Sequence, residues 1–186
     1  MKRFFDFIVA LILILLMALP IAVMAILVKL TSPGPAIYWS NRVGKNNKNF
    51  LMPKFRTMFE GSPELATHLL QDVDNYLTPF GKFLRRTSLD ELPQLWSVLK
   101  GDMSLVGPRP ALFNQDDLIE LRTEKNICTL TPGITGWAQI NGRDDLPVPV
   151  KVSFDEHYLH HQTFLFDLKI LWATFFKVIK KEGVAH

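Results

Sequence analysis

The segment from Arg85 to Leu95 places two adjacent carboxylates, Asp90 and Glu91, just after a pair of arginines. Ser88 and Glu91 have the spacing of a capping box, which predicts that both acids lie in the first turn of a helix. The positive end of a helix stabilises ionised carboxylates and attracts anions. The pair is therefore either part of an anion-binding site or an adaptation to the helix dipole, and this segment alone leaves both interpretations open.

Cations and glycines in three other segments have the chemistry to bind phosphate. Arg109 lies between two prolines that restrict its backbone, so its guanidinium can bind phosphate oxygens with little entropy left to lose. A rigid turn with a solvated arginine is the alternative. The glycines of 131–142 allow a backbone to approach a ligand closely. The candidate binding side chains in these segments are Lys54, Arg56, Arg109, Asn141 and Arg143.

The composition bounds the kinds of protein that could carry such a site. The chain has 186 residues, 48% of them hydrophobic, which is enough for one domain with a real core and an appendage. A single cysteine, Cys128, excludes a disulfide framework and a multi-cysteine zinc site. The net charge of +3 is far below that of a dedicated nucleic-acid binder, so no nucleic-acid partner is expected. The sequence motifs of P-loop, Rossmann, α/β-hydrolase and zincin enzymes are absent.

An uncharged run from Phe7 to Val28 lies near the start of the chain. As a helix, these 22 residues would extend roughly 33 Å, enough to cross the hydrocarbon core of a bilayer. Pro20 disrupts helical hydrogen bonding, and the basic residues on both flanks favour the cytoplasmic side. A re-entrant helix broken at Pro20 satisfies both flanks, whereas a spanning helix leaves one of them outside. A cleaved signal peptide is the third alternative, although the run exceeds the usual apolar region of one.

The rest of the chain predicts a small α/β body that is mostly helical and carries a short β-hairpin. Strands are expected at 36–39 and 50–52, joined by a polar loop. The other predicted elements are mostly helical segments at 77–100 and 114–126, and a loop with short extended pieces at 131–142.

The run from Phe164 to Lys181 is amphipathic. It predicts either a helix that packs on the core or one that lies in the membrane interface. We favour the interface because the same chain carries a membrane segment, and the lysines of the run would then face anionic headgroups. The sequence thus divides into a membrane anchor, 1–31, and a catalytic body, 32–186.

Several arginines and two carboxylates on a membrane-seated chain fit a pyrophosphate substrate whose reaction partner lies in the bilayer. A carboxylate repels a diphosphate unless a divalent cation neutralises the charge, so Mg²⁺ is the expected cofactor. His157, His160 and His161 have a helical spacing that could hold zinc, but surface histidines beside Tyr158 explain them as well.

The order of these motifs resembles that of the bacterial sugar transferase family, the small monotopic phosphoglycosyl transferases. The resemblance covers nearly the whole chain, and the motifs are specific in combination. They are Lys54-Phe55-Arg56-Thr57-Met58, Thr87-Ser88-Leu89-Asp90-Glu91-Leu92-Pro93-Gln94, Gly101-Asp102-Met103-Ser104 with Gly107-Pro108-Arg109-Pro110, and Pro132-Gly133-Ile134-Thr135-Gly136.

The resemblance implies a reaction at the cytoplasmic face of the bacterial inner membrane. A sugar 1-phosphate passes from a UDP-sugar to polyprenol (undecaprenyl) phosphate, giving UMP and a polyprenyl diphosphosugar, as the first membrane step of surface glycan biosynthesis. In the family pattern Asp90 is the nucleophile that forms a covalent aspartyl phosphosugar, and Glu91 binds Mg²⁺. Arg85, Arg109 and Arg143 match positions that bind phosphate and nucleotide, and Asp155 matches a further polar position of the site.

The family also implies a re-entrant, monotopic membrane helix. Family members often carry serine before the proline that breaks this helix, whereas Leu19 precedes Pro20 here, so no hydroxyl is available for a freed carbonyl. A catalytically inactive membrane adaptor is the competing function, and UMP release would exclude it. A polytopic-type transferase would need more apolar segments than the chain has. No motif reports the sugar, the glycan pathway or the oligomeric state, so a homodimer stays open.

Overall fold

The structure is a computed structural model that describes residues 1–63, 73–142 and 146–180. In these parts of the chain it is mostly helical, with seven α-helices and two small two-stranded sheets. The expected mostly helical class is confirmed.

The apolar run forms a 30-residue helix, α1 (Lys2–Thr31). Among the described residues it is the one helix that is long and apolar enough to cross a membrane. Residues on both sides of Pro20 are helical, so the chain is not interrupted there. The helix ends where Ser32 becomes extended, just before the Pro33-Gly34-Pro35 segment. The long apolar helix is confirmed, and the re-entrant break stays a prediction.

One side of α1 packs against the body along its length. Asp6, Ala10, Met24 and Val28 are buried, and half-buried apolar residues continue their three- and four-residue spacing between Ala10 and Met24. The other side is equally apolar but exposed. It carries Ile12, Leu15, Leu16, Leu19, Val23 and Ile26. A helix that is apolar on its outward side as well suits a lipid environment.

The predicted hairpin is confirmed, with longer strands than expected. β1 (Ile37–Val43) and β2 (Asn49–Phe55) pair antiparallel over all seven residues, and a short 3₁₀ turn, Lys45–Asn47, lies between them. Phe55 is buried at the end of β2. This burial fixes the strand end and with it the position of Lys54.

The predicted helical segment 77–100 consists of three short pieces. They are α2 (Pro79–Thr87), a 3₁₀ helix (Leu89–Gln94) and α3 (Leu95–Lys100). Ser88, between the first two, has a left-handed backbone with a φ of 56°. The predicted capping box is wrong, because the Ser88 side chain makes no cap hydrogen bond. Instead its carbonyl accepts from the Glu91 N–H at 3.3 Å.

The second sheet is parallel and joins β3 (Ser104–Val106) to β4 (Gly133–Thr135). The helices predicted over 114–126 and 164–181 are confirmed. In the segment 131–142, β4 is one of the expected extended pieces, whereas Trp137–Asn141 forms a short helix instead of a loop. The remaining elements are the 3₁₀ turns Val73–Tyr76 and Ile127–Thr129 and the helices α4 (Asp116–Glu124), α5 (Trp137–Asn141), α6 (Val148–His161) and α7 (Phe164–Lys180).

The largest apolar cluster joins α1 to the body. Ala10 of α1 is buried with Val98, Val106, Tyr158 and Ile170, which belong to α3, β3, α6 and α7. The long apolar helix α1 is therefore part of the core that positions the acidic pair. The boundary between 1–31 and 32–186 coincides with the end of α1, and the division into two domains stays a prediction.

Candidate active site

Asp90 and Glu91 lie in the 3₁₀ helix that links α2 to α3. Its first turn is set by the left-handed Ser88, which redirects the chain after α2. At its other end Gln94 is 1% exposed and anchors the segment in the interior. Two adjacent acids are thereby held on a short piece of chain that is buried at Asp90 and at Gln94.

Glu91 brings together two segments that are distant in the sequence. Its Oε1 accepts from Lys54 Nζ at 2.9 Å and from Arg109 Nη2 at 2.9 Å. Burial acts to raise the pKa of Glu91, but the charges of Arg109 and Lys54 outweigh it and hold that pKa well below its ordinary value. Glu91 is therefore a permanently ionised carboxylate between two cations.

Asp90 is 8% exposed and accepts no hydrogen bond from the described part of the chain. Burial raises the pKa of its carboxyl to about 6, although the charge of Lys54 opposes this. At neutral pH the group is mostly ionised, desolvated and without a hydrogen bond from these residues. These are the properties of a nucleophile held ready for an electrophile.

Arg85 interacts electrostatically with Asp90. Its Nε donates to the Thr57 hydroxyl at 3.0 Å, which orients the guanidinium. Burial lowers the pKa of Arg85, and the Asp90 carboxylate opposes that change. With Lys54 and Arg109, three cations face two carboxylates, so the site keeps a positive surplus for an anionic substrate.

The loop that carries Arg109 is fixed by backbone contacts between β3 and β4. The Gly107 N–H donates to the Thr135 carbonyl at 2.8 Å, and the Gly133 N–H donates to the Pro108 carbonyl at 2.9 Å. A Cβ on Gly107 would lie 2.3 Å from the backbone oxygen of Thr131, two residues before β4. The glycines of 131–136 thus allow two stretches of backbone to approach each other, where the sequence analysis expected a ligand.

Arg122 is a site residue that the sequence analysis missed. It is 8% exposed on α4, and its Nη1 donates to the Arg109 carbonyl at 2.8 Å. Asp155 of α6 accepts from Arg122 Nε at 3.0 Å and from Nη2 at 2.6 Å. Burial raises the pKa of Asp155, against the attraction of Arg122. Asp155 therefore positions Arg122, and Arg122 in turn donates to the backbone of Arg109.

Arg56 does not bond to the acidic pair Asp90 and Glu91 as Lys54 does. Its guanidinium is buried and donates to the Ser32 carbonyl and hydroxyl, each at 2.9 Å, and to the Pro33 carbonyl. It therefore fixes the exit of α1. A role of Arg56 in substrate binding stays a prediction.

Arg143 lies outside the described residues, so its assignment to nucleotide binding stays a prediction. Asn141 is exposed, and its Nδ2 donates to the Trp137 carbonyl at 2.7 Å, which closes the short helix α5. The rings of His157 and His161 stack with their centroids 4.1 Å apart.

The carboxylates of Asp90 and Glu91 fit a magnesium ion that is shared with the substrate. Carboxylate oxygens are hard ligands, and one or two of them completed by substrate phosphates make an ordinary magnesium site. Both cations bond to Oε1 of Glu91, which leaves Oε2 and the Asp90 oxygens as candidate ligands. Within the described ranges no group of three histidines, cysteines or acids could hold a metal without the substrate.

A buried carboxylate without a hydrogen bond from the described residues, a fixed carboxylate beside it and three cations suit the binding of a diphosphate next to a carboxylate. The cations can bind the oxygens of a diphosphate, and the water-poor surroundings strengthen those contacts. The arrangement therefore suits the transfer of a phosphoryl group.

Comparison with known proteins agrees with this chemistry. Residues 1–181 match the family described as bacterial sugar transferase. The chain is 41% identical over 186 residues to the uncharacterized sugar transferase EpsL of Bacillus subtilis (strain 168), covering 99% of this chain and 90% of that protein. It is 39% identical over 199 residues to the undecaprenyl-phosphate galactose phosphotransferase of Salmonella typhimurium, covering 98% of this chain and 41% of that protein.

The chain is also similar to the UDP-glucose:undecaprenyl-phosphate glucose-1-phosphate transferase of Escherichia coli (strain K12). The two are 40% identical over 185 residues, which cover 95% of this chain and 40% of that protein. The chain thus spans nearly all of EpsL but only about two fifths of the two longer phosphotransferases. On this match the chain belongs to the bacterial sugar transferase family and is a membrane-associated transferase.

Proposed function

We propose that this protein transfers a sugar 1-phosphate from a UDP-sugar to undecaprenyl phosphate. UMP and an undecaprenyl diphosphosugar are the products, and the reaction opens the membrane phase of a surface glycan pathway. The observation that carries the proposal is Asp90, a buried carboxylate that accepts no hydrogen bond from the described residues and lies among three cations. The names of the relatives, which are undecaprenyl-phosphate sugar transferases, supply the acceptor.

In the first step an Asp90 oxygen attacks the phosphorus that bears the sugar. The bond from this phosphorus to the bridging oxygen breaks, and UMP leaves with that oxygen. An aspartyl phosphosugar remains on the enzyme. In the second step an oxygen of undecaprenyl phosphate attacks the same phosphorus and displaces the Asp90 carboxylate. Two steps allow a soluble nucleotide to leave before a lipid phosphate binds.

Lys54, Arg85 and Arg109 have electrostatic roles in this scheme. Their charges bind the diphosphate and stabilise the negative charge that develops on the equatorial oxygens during attack. Glu91 keeps Lys54 and Arg109 in fixed positions through its Oε1. A magnesium ion bound by Glu91 and by Asp90 would neutralise phosphate charge that otherwise repels the nucleophile.

For the membrane helix we propose the re-entrant topology, with the body at the cytoplasmic face of the inner membrane. Two contacts support it. Near the start of α1, the Asp6 carboxylate is buried against Ser104, and at the exit Arg56 holds Ser32. A helix whose two ends are bonded to one polar body has both ends on the same side of the bilayer, while its exposed apolar side faces lipid.

The C-terminal helix α7 offers a second contact with the bilayer. Its outward side chains are large and apolar, and they include Leu165, Leu168, Trp172, Phe175 and Phe176. Phe164 at its start meets Phe5 of α1 edge to face, with ring centroids 5.1 Å apart. We therefore propose that α7 lies in the membrane interface beside the start of α1.

The test is UMP release by the full chain in nanodiscs with Mg²⁺, undecaprenyl phosphate and a panel of UDP-sugars. We expect release with at least one donor, and its loss in Asp90→Asn. Asp74→Asn is the matched control because Asp74 is an exposed aspartate paired only with Lys82 among the described residues. Without acceptor, the peptide that contains Asp90 should gain the mass of a sugar phosphate.

Full turnover by the Asp90→Asn variant would refute the assignment of Asp90 as the nucleophile. Binding of a UDP-sugar without release of UMP, under all conditions, would instead identify an adaptor that binds nucleotide sugars.

A further inference from the structure

The first two turns of α1 carry charged side chains that bond to the body. Lys2 Nζ lies 2.6 Å from Asp167 Oδ2 and donates to the Val106 carbonyl at 3.0 Å. Asp6 is 3% exposed, and its Oδ2 accepts from the Ser104 hydroxyl at 2.7 Å. Two charges of the membrane helix are thus bonded to both ends of β3.

Asp167 of α7 is the meeting point of these contacts. It is almost fully buried, and its Oδ1 accepts from the Tyr158 hydroxyl at 2.6 Å. Burial, followed by the bond to Asp167, raises the pKa of Tyr158 far above its ordinary value, so the hydroxyl keeps its proton. The buried carboxylate is therefore matched by a cation from α1 and a hydroxyl from α6.

Arg3 bonds to the end of α3. Its guanidinium donates to the carbonyls of Val98 and, at 2.7 Å, Leu99, in the last turn of α3. A cation at the C-terminus of a helix satisfies free carbonyls and complements the helix dipole. Gly101 leaves room for it, since a Cβ there would lie 3.1 Å from Arg3 Nη2.

The two elements held in this way both lead into the active site. β3 continues into Gly107 and Arg109, and α3 follows directly on the 3₁₀ helix of Asp90 and Glu91. We propose that the start of the membrane helix is a positioning device, which sets Arg109 and the acidic pair at a fixed place relative to the bilayer. Its members, which we call the N-terminal clasp, are Lys2, Arg3, Asp6, Tyr158 and Asp167.

The proposal rests on the proposed function, because a fixed place matters to a site whose acceptor phosphate lies in the membrane plane. The energetics favour a tight connection. A buried ion pair adds little net stability, but removing one partner leaves the other charge uncompensated. Any separation of α1 from β3 or α7 therefore has a direct cost, and the anchor and the loop of Arg109 move together.

The competing explanation is that Lys2 and Arg3 only set membrane orientation, as basic flanks do. Lys29 offers a matched control for it. It is a lysine on the other flank of the same helix, it is exposed, and within the described residues it has no partner. An orientation effect predicts comparable results for Lys2 and Lys29, whereas the clasp predicts an effect of Lys2 alone.

The experiment compares Lys2→Met, Asp167→Asn and Lys29→Met in the full chain in nanodiscs. The readouts are kcat and KM for the donor, retention in the membrane, and amide hydrogen exchange of residues 104–109. For Lys2→Met and Asp167→Asn we expect kcat to fall about tenfold or more, as misplaced reacting groups do. We also expect faster exchange at Val106 and Gly107, with membrane retention unchanged. Lys29→Met should match the parent protein in all readouts.

A conservative variant keeps the test decisive if the loss of charge impairs folding. Lys2→Arg preserves the cation and should restore most of the turnover and the slow exchange. Equal effects of Lys2→Met and Lys29→Met would overturn the clasp, and so would unchanged exchange at 104–109 in Lys2→Met, even if turnover fell. If the parent protein releases UMP from no donor, the proposed function fails, while the exchange data still decide the structural claim.

Discussion

Asp155 is bonded to Arg122, and Arg122 to the Arg109 carbonyl, so Asp155→Asn perturbs the active-site loop from a distance. The substitution leaves the Arg122 charge buried without a counter-charge, which costs about 3–5 kcal/mol when no partner remains. The asparagine oxygen can still accept one hydrogen bond from Arg122. We therefore expect the free energy of unfolding to fall by an amount near the lower end of this range, about 3 kcal/mol. For a chain of this length that corresponds to a fall in Tm of about 6–12 °C.

The assay is thermal unfolding of the protein in nanodiscs, followed by tryptophan fluorescence, together with UMP release. Glu156→Gln is the matched control. Glu156 neighbours Asp155 on α6 and pairs with Lys125, the residue that follows α4, at 2.5 Å, but this pair is exposed. Exposed ion pairs contribute about 0–1 kcal/mol, so Tm should shift by no more than about 4 °C.

A double variant separates stability from positioning. Replacing both partners by apolar residues, Arg122→Met with Asp155→Leu, removes the unpaired charge and should restore most of the stability. UMP release by the double variant should be slower than that of the parent protein, because the Arg109 carbonyl has lost the hydrogen bond from Arg122. Recovery of both stability and turnover would refute the reasoning that Arg122 positions Arg109. A normal Tm in Asp155→Asn with a raised KM would instead indicate direct substrate binding by Asp155.

Three further outcomes are expected. Since burial raises the pKa of Asp90 to about 6 and the ionised form attacks, kcat/KM for the donor should fall as the pH drops below about 6; a flat profile from pH 5 to 8 would contradict this. Lys54→Met removes a charge that lowers the Asp90 pKa, so the acid limb should move to higher pH, while the exposed Lys48→Met leaves it in place. In a background without the native cysteine, Phe4→Cys and Leu30→Cys, both at exposed positions near the ends of α1, should react with an impermeant thiol reagent from the cytoplasmic side only. Labelling of the two from opposite sides would establish a spanning helix.

Elements with a local signal could be predicted from the sequence. The apolar run, the hairpin, and the helices α4 and α7 each follow from hydrophobic pattern and turn residues within a short window. Contiguous motifs single out Asp90, Glu91 and Arg109 as candidate site residues. The structure brings Glu91 together with Lys54 and Arg109, two of the cations singled out in the sequence.

Contacts between distant segments could not be predicted. Ser88 has the residue type and spacing of a capping residue. However, the turn from α2 into the 3₁₀ helix requires a left-handed backbone at Ser88, and its hydroxyl makes no cap hydrogen bond. Arg122 lies in a charged segment that looks solvated, and only the packing of α4 on α6 buries it against Asp155. Arg56 belongs to a cationic motif, yet tertiary structure directs it to the exit of α1.

The packing of α1 has a consequence for how the protein is made. Its inward residues Ala10, Met24 and Val28 are buried in two apolar clusters of the body. A body released by cleavage after Thr31 would expose those surfaces to water, so it should aggregate. We therefore expect the last stage of folding to take place at the lipid surface, where the helix can contact both the body and the acyl chains. We therefore expect that the body is not stable in solution without α1.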